Sequence, residues 1–268
     1  MDQTASDILP VKQVIVQIYE IQTPHEAEGV IADGVDHIGS VVLSSTEWKD
    51  PTLRETVRLV QSSGRISSLI PLFSDIDFIR RLLDYHQPDI IHFCEALPLN
   101  AVGDGGCQML LVNQETIRVE YPDLKIMRSV PIGKPGFSKA VPTLELAAKF
   151  EPLSDYFLTD TFLLPTAAAS AAQPVDGFVG ITGETCDWEV ARALVLQASI
   201  PVILAGGLSP ENVKAGIDSV SPAGVDSCTA TNQVDTAGKP IRFRKNRARV
   251  RHFVQAAKRA VGDPSSPV

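Results

Sequence analysis

The chain is poor in the features that would mark a membrane, metal or disulfide protein. No run of about 20 apolar residues occurs, so no spanning helix is expected. Its four cysteines, Cys94, Cys107, Cys186 and Cys228, form no C-x-x-C pair, and no histidine stands at zinc-like spacing from them. Reduced thiols in a reducing compartment are the expectation. The first ten residues, MDQTASDILP, lack both a basic n-region and an apolar h-region, which makes a cytoplasmic protein the default. No G-x-G-x-x-G follows the first apolar run, which counts against a dinucleotide-binding fold. Positive charge is outweighed: 24 Lys and Arg against 32 Asp and Glu leave a net charge of −8. Such a chain is a poor candidate for duplex nucleic acid, although a local basic patch can still hold anions.

What is present is a rhythm. Short apolar, β-branched runs recur at residues 14–18, 37–43, 66–73, 90–94, 125–130, 156–159, 201–205 and 224–227. Helix-period segments lie between most of them, at 24–34, 51–62, 75–86, 144–150, 188–198, 211–220 and 247–261. Thr23, Pro24, Glu26 and Glu28 give the first helix its cap, first turn and favourable dipole charges. Continuous apolar strands alternating with helices are what a parallel sheet covered on both faces requires. Eight strands in 268 residues, 44% of them hydrophobic, predict a single (β/α)8 TIM barrel; an open doubly wound sheet is the alternative. One domain over 1–268 is expected, with flexible tails at 1–10 and 263–268. Residues 98–108, with Gly103, Gly105 and Gly106, read as a loop. Residues 163–177 read either as a mobile lid over the C-terminal mouth or as a tolerated surface insertion.

The strongest chemical signal is P-V-I-L-A-G-G-L-S-P-E-N-V, residues 201–213. A buried strand meets Gly206 and Gly207, and Ser209 and Pro210 are placed to open a helix. Backbone N–H groups at such a turn suit a phosphate, and barrels often build phosphate sites from the loops after strands seven and eight. The eighth run continues into Ser227, Cys228, Thr229 and Thr231, small groups suited to the other half of the site; the alternative is plain strand–turn–helix punctuation.

These segments resemble phosphoribosylanthranilate isomerase of tryptophan biosynthesis. A-G-G-L-S-P-E-N-V followed by G-V-D-S carries the likeness, together with Y-F-L-T-D-T at 156–161 and G-I-T-G-E-T-C-D-W at 180–188. Q-I-Y-E-I-Q-T-P-H-E-A at 17–27 has the cadence of that family's first strand and helix. The likeness is strong over 156–262 and thin over 44–150. It implies an Amadori rearrangement of a phosphorylated aminoribose, with no metal or organic cofactor. Asp160 would be the general acid that opens the furanose ring; Gly206, Gly207, Ser227, Cys228 and Thr229 would hold phosphate; Gly183 and His92 would line the substrate pocket.

Three departures stand out. The family's first strand usually reads K-I-C-G, with cysteine as the base that removes the C2 proton; here it is Gln17, Ile18, Tyr19, Glu20. Free tyrosine titrates near ~10 against ~8.5 for cysteine, and it is far bulkier. A relocated base would come from Glu20, if a strand-end bulge turns it inward, or from Cys228 on the neighbouring eighth strand; Cys94 lies across the barrel. Secondly, the Ser-x-Arg turn after strand two is S-S-T-E-W-K-D-P, where Lys49 is a cation without the guanidinium fork and Trp48 either stacks on a ligand or anchors the loop. Thirdly, the glutamine–histidine pattern after strand four becomes His92, Phe93, Cys94, Glu95. The phosphate-facing half is therefore retained and the other half rewritten. The rival reading is a non-catalytic or repurposed paralogue that binds a phosphosugar or protein partner. The basic stretch 241–251 reads as a solvated helix face or, alternatively, as a seat for an anionic partner. Oligomeric state is not encoded legibly.

Overall fold

A computed structural model describes residues 13–99, 107–163, 177–180 and 182–262. The tails and most of the two stretches at 98–108 and 163–177 lie outside these residues. Eight parallel strands close into a barrel in sequence order: β1 Ile15–Ile18, β2 His37–Val42, β3 Ile66–Pro71, β4 Ile90–Phe93, β5 Lys125–Gly133, β6 Tyr156–Phe162, β7 Val202–Leu204 and β8 Gly224–Ser227. The ring shuts through β1 and β8, where Gln17 lies opposite Asp226 and Ile18 opposite Ser227. The open-sheet alternative is thereby excluded. Among the described residues no helix is long and apolar enough to cross a membrane.

The strands alternate between two burial environments, as a closed barrel requires. Val41, Ile70, Ile90, Met127, Leu158 and Ile203 point inward and pack together in the lumen with Tyr19 and Cys94. Their neighbours Ile126, Phe157, Val202 and Leu204 point outward beneath the helices. Each strand is buried on both faces, hence the continuous apolar runs.

The helices are α1 Pro24–Ala32, α2 Pro51–Ser62, α3 Ile76–His86, α4 Gln108–Glu120, α5 Thr143–Phe150, α6 Trp188–Gln197, α7 Val213–Val220 and α8 Arg247–Ala260. Thr23 and Glu26 form a reciprocal capping box on α1, so the predicted cap holds. Residues 209–212 form a turn rather than helix. Ser209 accepts from the Glu211 N–H at 3.2 Å, but Asn212 occupies the cap position and α7 starts at Val213. Between β8 and α8 the chain inserts an antiparallel hairpin, β9 Asn232–Val234 and β10 Pro240–Lys245. Thus the first part of the basic stretch is strand, not helix. Its arginines are largely engaged within the chain: Arg247 and Arg251 both pair with Asp33, and Arg249 with Glu211.

Candidate active site

A pocket opens at the C-terminal mouth of the barrel, the end where the β-to-α loops gather. Its wall includes Asp160 from β6, Asp226 and Ser227 from β8, and His92 and Cys94 at the end of β4. Tyr19 and Glu20, just past β1, Gly206 and Gly207 after β7, and Gly183, Cys228 and Thr229 complete much of the rim. All the expected site residues except Trp48 are therefore brought together.

Asp160 sits opposite Pro131 of β5, with its Oδ1 accepting the Thr161 N–H at 3.1 Å. The returning segment 177–180 lies along the end of β4: the Ala96 N–H donates to the Gly177 carbonyl and the Val179 N–H to that of Cys94. This seats Gly180 directly over the Asp160 carboxyl, where a side chain on residue 180 would collide with it. Burial pushes the Asp160 pKa up to about 7, and the neighbouring Asp226 charge pushes the same way. A carboxylic acid that keeps its proton near neutrality is the requirement for a general acid.

The loops after β7 and β8, expected to hold phosphate, have a backbone suited to close approach. Gly206 and Gly207 both adopt positive φ (+89° and +62°), and a Cβ on Gly207 would strike the backbone of Glu184. Ser227 donates from its hydroxyl to the Leu208 carbonyl at 2.8 Å, tying the two loops together. Among the described residues nothing accepts a hydrogen bond from the N–H groups of Gly206, Gly207, Thr229 or Ala230. Unpaired N–H groups lining a pocket are suited to hold an anion.

Tyr19 is buried, and its ring lies across Gly39 on β2, where any side chain would overlap it. Its hydroxyl is 2.6 Å from Ser68 Oγ and 2.7 Å from His92 Nδ1; His92 Nε2 is in turn 2.9 Å from Ser129 Oγ. Burial lifts the phenol well above its ordinary range despite the Ser68 hydrogen bond, so it is no base near neutrality. The same burial, with Arg128 nearby, lowers His92 to about 3 and keeps the imidazole neutral. Tyr19 is thus a satisfied filler.

The other candidate bases fare no better. Glu20, at φ 64°, lines the pocket but its carboxylate is tied to the hairpin. It accepts from Arg242 Nε at 2.7 Å, the Phe243 N–H at 3.1 Å and Asn232 Nδ2 at 3.2 Å. Burial would raise it, yet Lys245, the Phe243 N–H and Arg242 together lower its pKa. Burial pushes the Cys228 thiol up to about 12 and Cys94 well above its usual range, the latter helped by Glu95 and Asp160. Trp48 is a correction to the sequence reading. It is partly buried against the core cluster that contains Val42, Leu53 and Ile79, edge-on to Tyr85, with its carbonyl 2.9 Å from His86 Nε2, and it does not line the pocket. Lys49 lies over the Trp48 and Tyr85 rings and not in the pocket wall.

A family model for N-(5′-phosphoribosyl)anthranilate isomerase matches residues 147–256. The N-(5′-phosphoribosyl)anthranilate isomerase of Moorella thermoacetica is 42% identical over 247 residues, covering 92% of this chain and 91% of that protein. The chain belongs to the phosphoribosylanthranilate isomerase family. Some other relatives align over only about half their length: isomerase 2 of Methanosarcina mazei is 34% identical over 143 residues, 53% of each chain. Among solved structures, the Thermotoga maritima phosphoribosylanthranilate isomerase superposes with a TM-score of 0.63 at 17% identity, covering 92% of this chain and 99% of that one. A further family structure, in complex with reduced 1-(o-carboxyphenylamino)-1-deoxyribulose 5-phosphate, gives 0.61 at 17% identity with the same coverage.

For this family member, sequence reasoning missed Asp226, Gly39, Ser68 and Ser129 as parts of the site, and the hairpin that holds Glu20. The signal for Asp226 was its place in G-V-D-S, one residue before a segment already assigned to phosphate. The signal for Gly39 was a glycine inside a buried strand.

Proposed function

We propose that this chain catalyses the Amadori isomerisation of a phosphorylated aminoribose, with phosphoribosylanthranilate as substrate. The observation that carries the reading is Asp160: a pocket carboxyl with a pKa of about 7, facing a cradle of unpaired N–H groups. The cradle at Gly206, Gly207, Thr229 and Ala230 holds the phosphate. Asp160 gives its proton to the furanose ring oxygen as the C1–O bond breaks, leaving an iminium at C1. A base then takes the C2 proton, and the electron pair of that bond forms the C1–C2 double bond of an enolamine. Tautomerisation gives the 1-amino-1-deoxyketose. Proton transfers alone balance this sequence. Four free thiols suit a reducing, cytoplasmic setting.

Loss of phosphoribosylanthranilate fluorescence on incubation with the purified chain tests the assignment. Asp160→Asn is expected to cost roughly 10²–10⁴ in kcat while the reduced deoxyribulose phosphate analogue still binds. The second reading, a phosphosugar-binding paralogue without turnover, is favoured by the engaged hydroxyl of Tyr19. Analogue binding without any turnover by the parent chain would decide for it.

A further inference from the structure

The family's usual first strand places a lysine and a cysteine two residues apart, and this chain replaces both, with Gln17 and Tyr19. The two positions are coupled through one residue on the neighbouring strand. Gln17 lies opposite Asp226 in the β1–β8 register, and its Nε2 donates to Asp226 Oδ1 at 3.2 Å. The Gln17 Oε1 is buried with no partner, so the amide has its donor side turned to the carboxylate. Among the described residues the second oxygen of Asp226 accepts no hydrogen bond, although the residue is buried and lines the same pocket as Asp160. A buried carboxylate with an open oxygen on a pocket wall is a proton acceptor awaiting a partner.

We propose that Asp226 is the general base of this chain and removes the substrate C2 proton from strand eight, in place of the missing first-strand cysteine. The inference rests on the isomerase reading above. The charge change at residue 17 explains how it works. A lysine at that position would put an ammonium beside Asp226 and hold it ionised, weakly basic and salt-bridged. Glutamine supplies a hydrogen bond without the charge. Burial then carries Asp226 up to about 7, against the Gln17 bond and the Lys245 charge. The other titratable groups that sense Asp226 are Asp160, Tyr19 and Cys228, the last two neutral near pH 7. Loss of the thiol and loss of the lysine are then one exchange: the base moves one strand over, and the counter-charge that would have silenced it is removed. The reacting pair becomes two carboxyls. Asp160 enters protonated and gives its proton to the ring oxygen; Asp226 enters ionised and receives the proton from C2. Each ends in the other's starting state, and solvent resets them.

The test uses the full chain and two substitutions. Asp226→Asn keeps an oxygen for Gln17 Nε2 and is expected to lower kcat by roughly 10²–10⁴, with affinity for the reduced analogue changed only a few-fold. Gln17→Lys is expected to shift the acid limb of the kcat/KM profile from near pH 7 to lower pH, a displacement that a purely structural role of Asp226 would not produce. Turnover by Asp226→Asn within about fivefold of the parent overturns the proposal and leaves the isomerase reading standing. Analogue binding without turnover by the parent overturns both. An acid limb that Gln17→Lys does not move also counts against Asp226 as the base.

Discussion

The desolvated carboxyl of Asp160 carries a cost in stability, and that cost is measurable. Its pKa is about 7 in the folded chain against an ordinary 3.8, because burial and the Asp226 charge disfavour the ionised form. The folded state therefore holds this proton more tightly than the unfolded state. Between about pH 4 and pH 7 unfolding releases a proton, and stability falls as pH rises through that window. A shift of about three units corresponds to about 4 kcal/mol, fully developed above pH 7 and absent below about pH 4. Asp160→Asn keeps an acceptor for the Thr161 N–H but never ionises. Urea unfolding of parent and variant should converge near pH 4 and separate toward pH 8, with the variant more stable by up to about 4 kcal/mol, on the order of 10 °C in Tm for a chain of this size. Part of the shift comes from the Asp226 charge, so the gain should shrink when Asp226→Asn is already present. A stability difference that is the same at pH 4.5 and pH 8 would refute the reasoning, because it would mean that the carboxyl titrates alike in both states.

Arg242→Ala should loosen the β9–β10 hairpin, since it removes the 2.7 Å ion pair to the buried Glu20. With Arg242 one-third exposed and Lys245 still near, the cost should be about 1–3 kcal/mol, with faster proteolysis within 232–245. Because Glu20 titrates below its ordinary range in the fold, this contribution is present above the unfolded glutamate pKa and is lost as pH falls through the folded value, so parent and variant should converge in acid. Gly39→Ala should displace the Tyr19 ring and break its bonds to Ser68 and His92, costing about 2–4 kcal/mol by urea unfolding; an unchanged midpoint would show that the ring can move aside freely.

Barrel strands were legible because each must be buried on both faces, which writes a continuous apolar run into the sequence. The predicted run at 66–73 and the observed Ile66–Pro71 differ only where the chain leaves the sheet. Asp160 was singled out through the likeness of Y-F-L-T-D-T to the family's sixth strand; taken alone, a polar residue there could equally cap a helix or close a loop. Two elements were hidden. In α4 only Gln114 and Ile117 are buried, so the helix shows little apolar stripe, and the hairpin strand P-I-R-F-R-K is polar enough to pass for a helix face. Trp48 was ambiguous because a tryptophan in a loop serves a ligand or a rim equally well; only the packing against Tyr85 and the barrel side of α2 and α3 separates them.

The surroundings of Tyr19 show that its replacement of the family's cysteine is not an isolated loss. The ring needs a residue without a side chain at 39, and Gly39 is there. The phenol needs partners in the lumen, and Ser68 and a neutral His92 supply them, with Ser129 completing the imidazole. These four residues come from β2, β3, β4 and β5, so a change on one strand is matched across half the barrel. Restoring cysteine at residue 19 alone would strip the shared partner from Ser68 and His92, at about 1–3 kcal/mol for each buried group left unpaired, and would open a cavity where the ring had been. It would also leave Gln17 beside Asp226, not lysine. A thiol regained in that setting has no positive charge on its own strand to favour the thiolate. The rewritten half of the pocket is thus a self-consistent arrangement in which Tyr19, Gly39, Ser68, His92 and Ser129 fit one another.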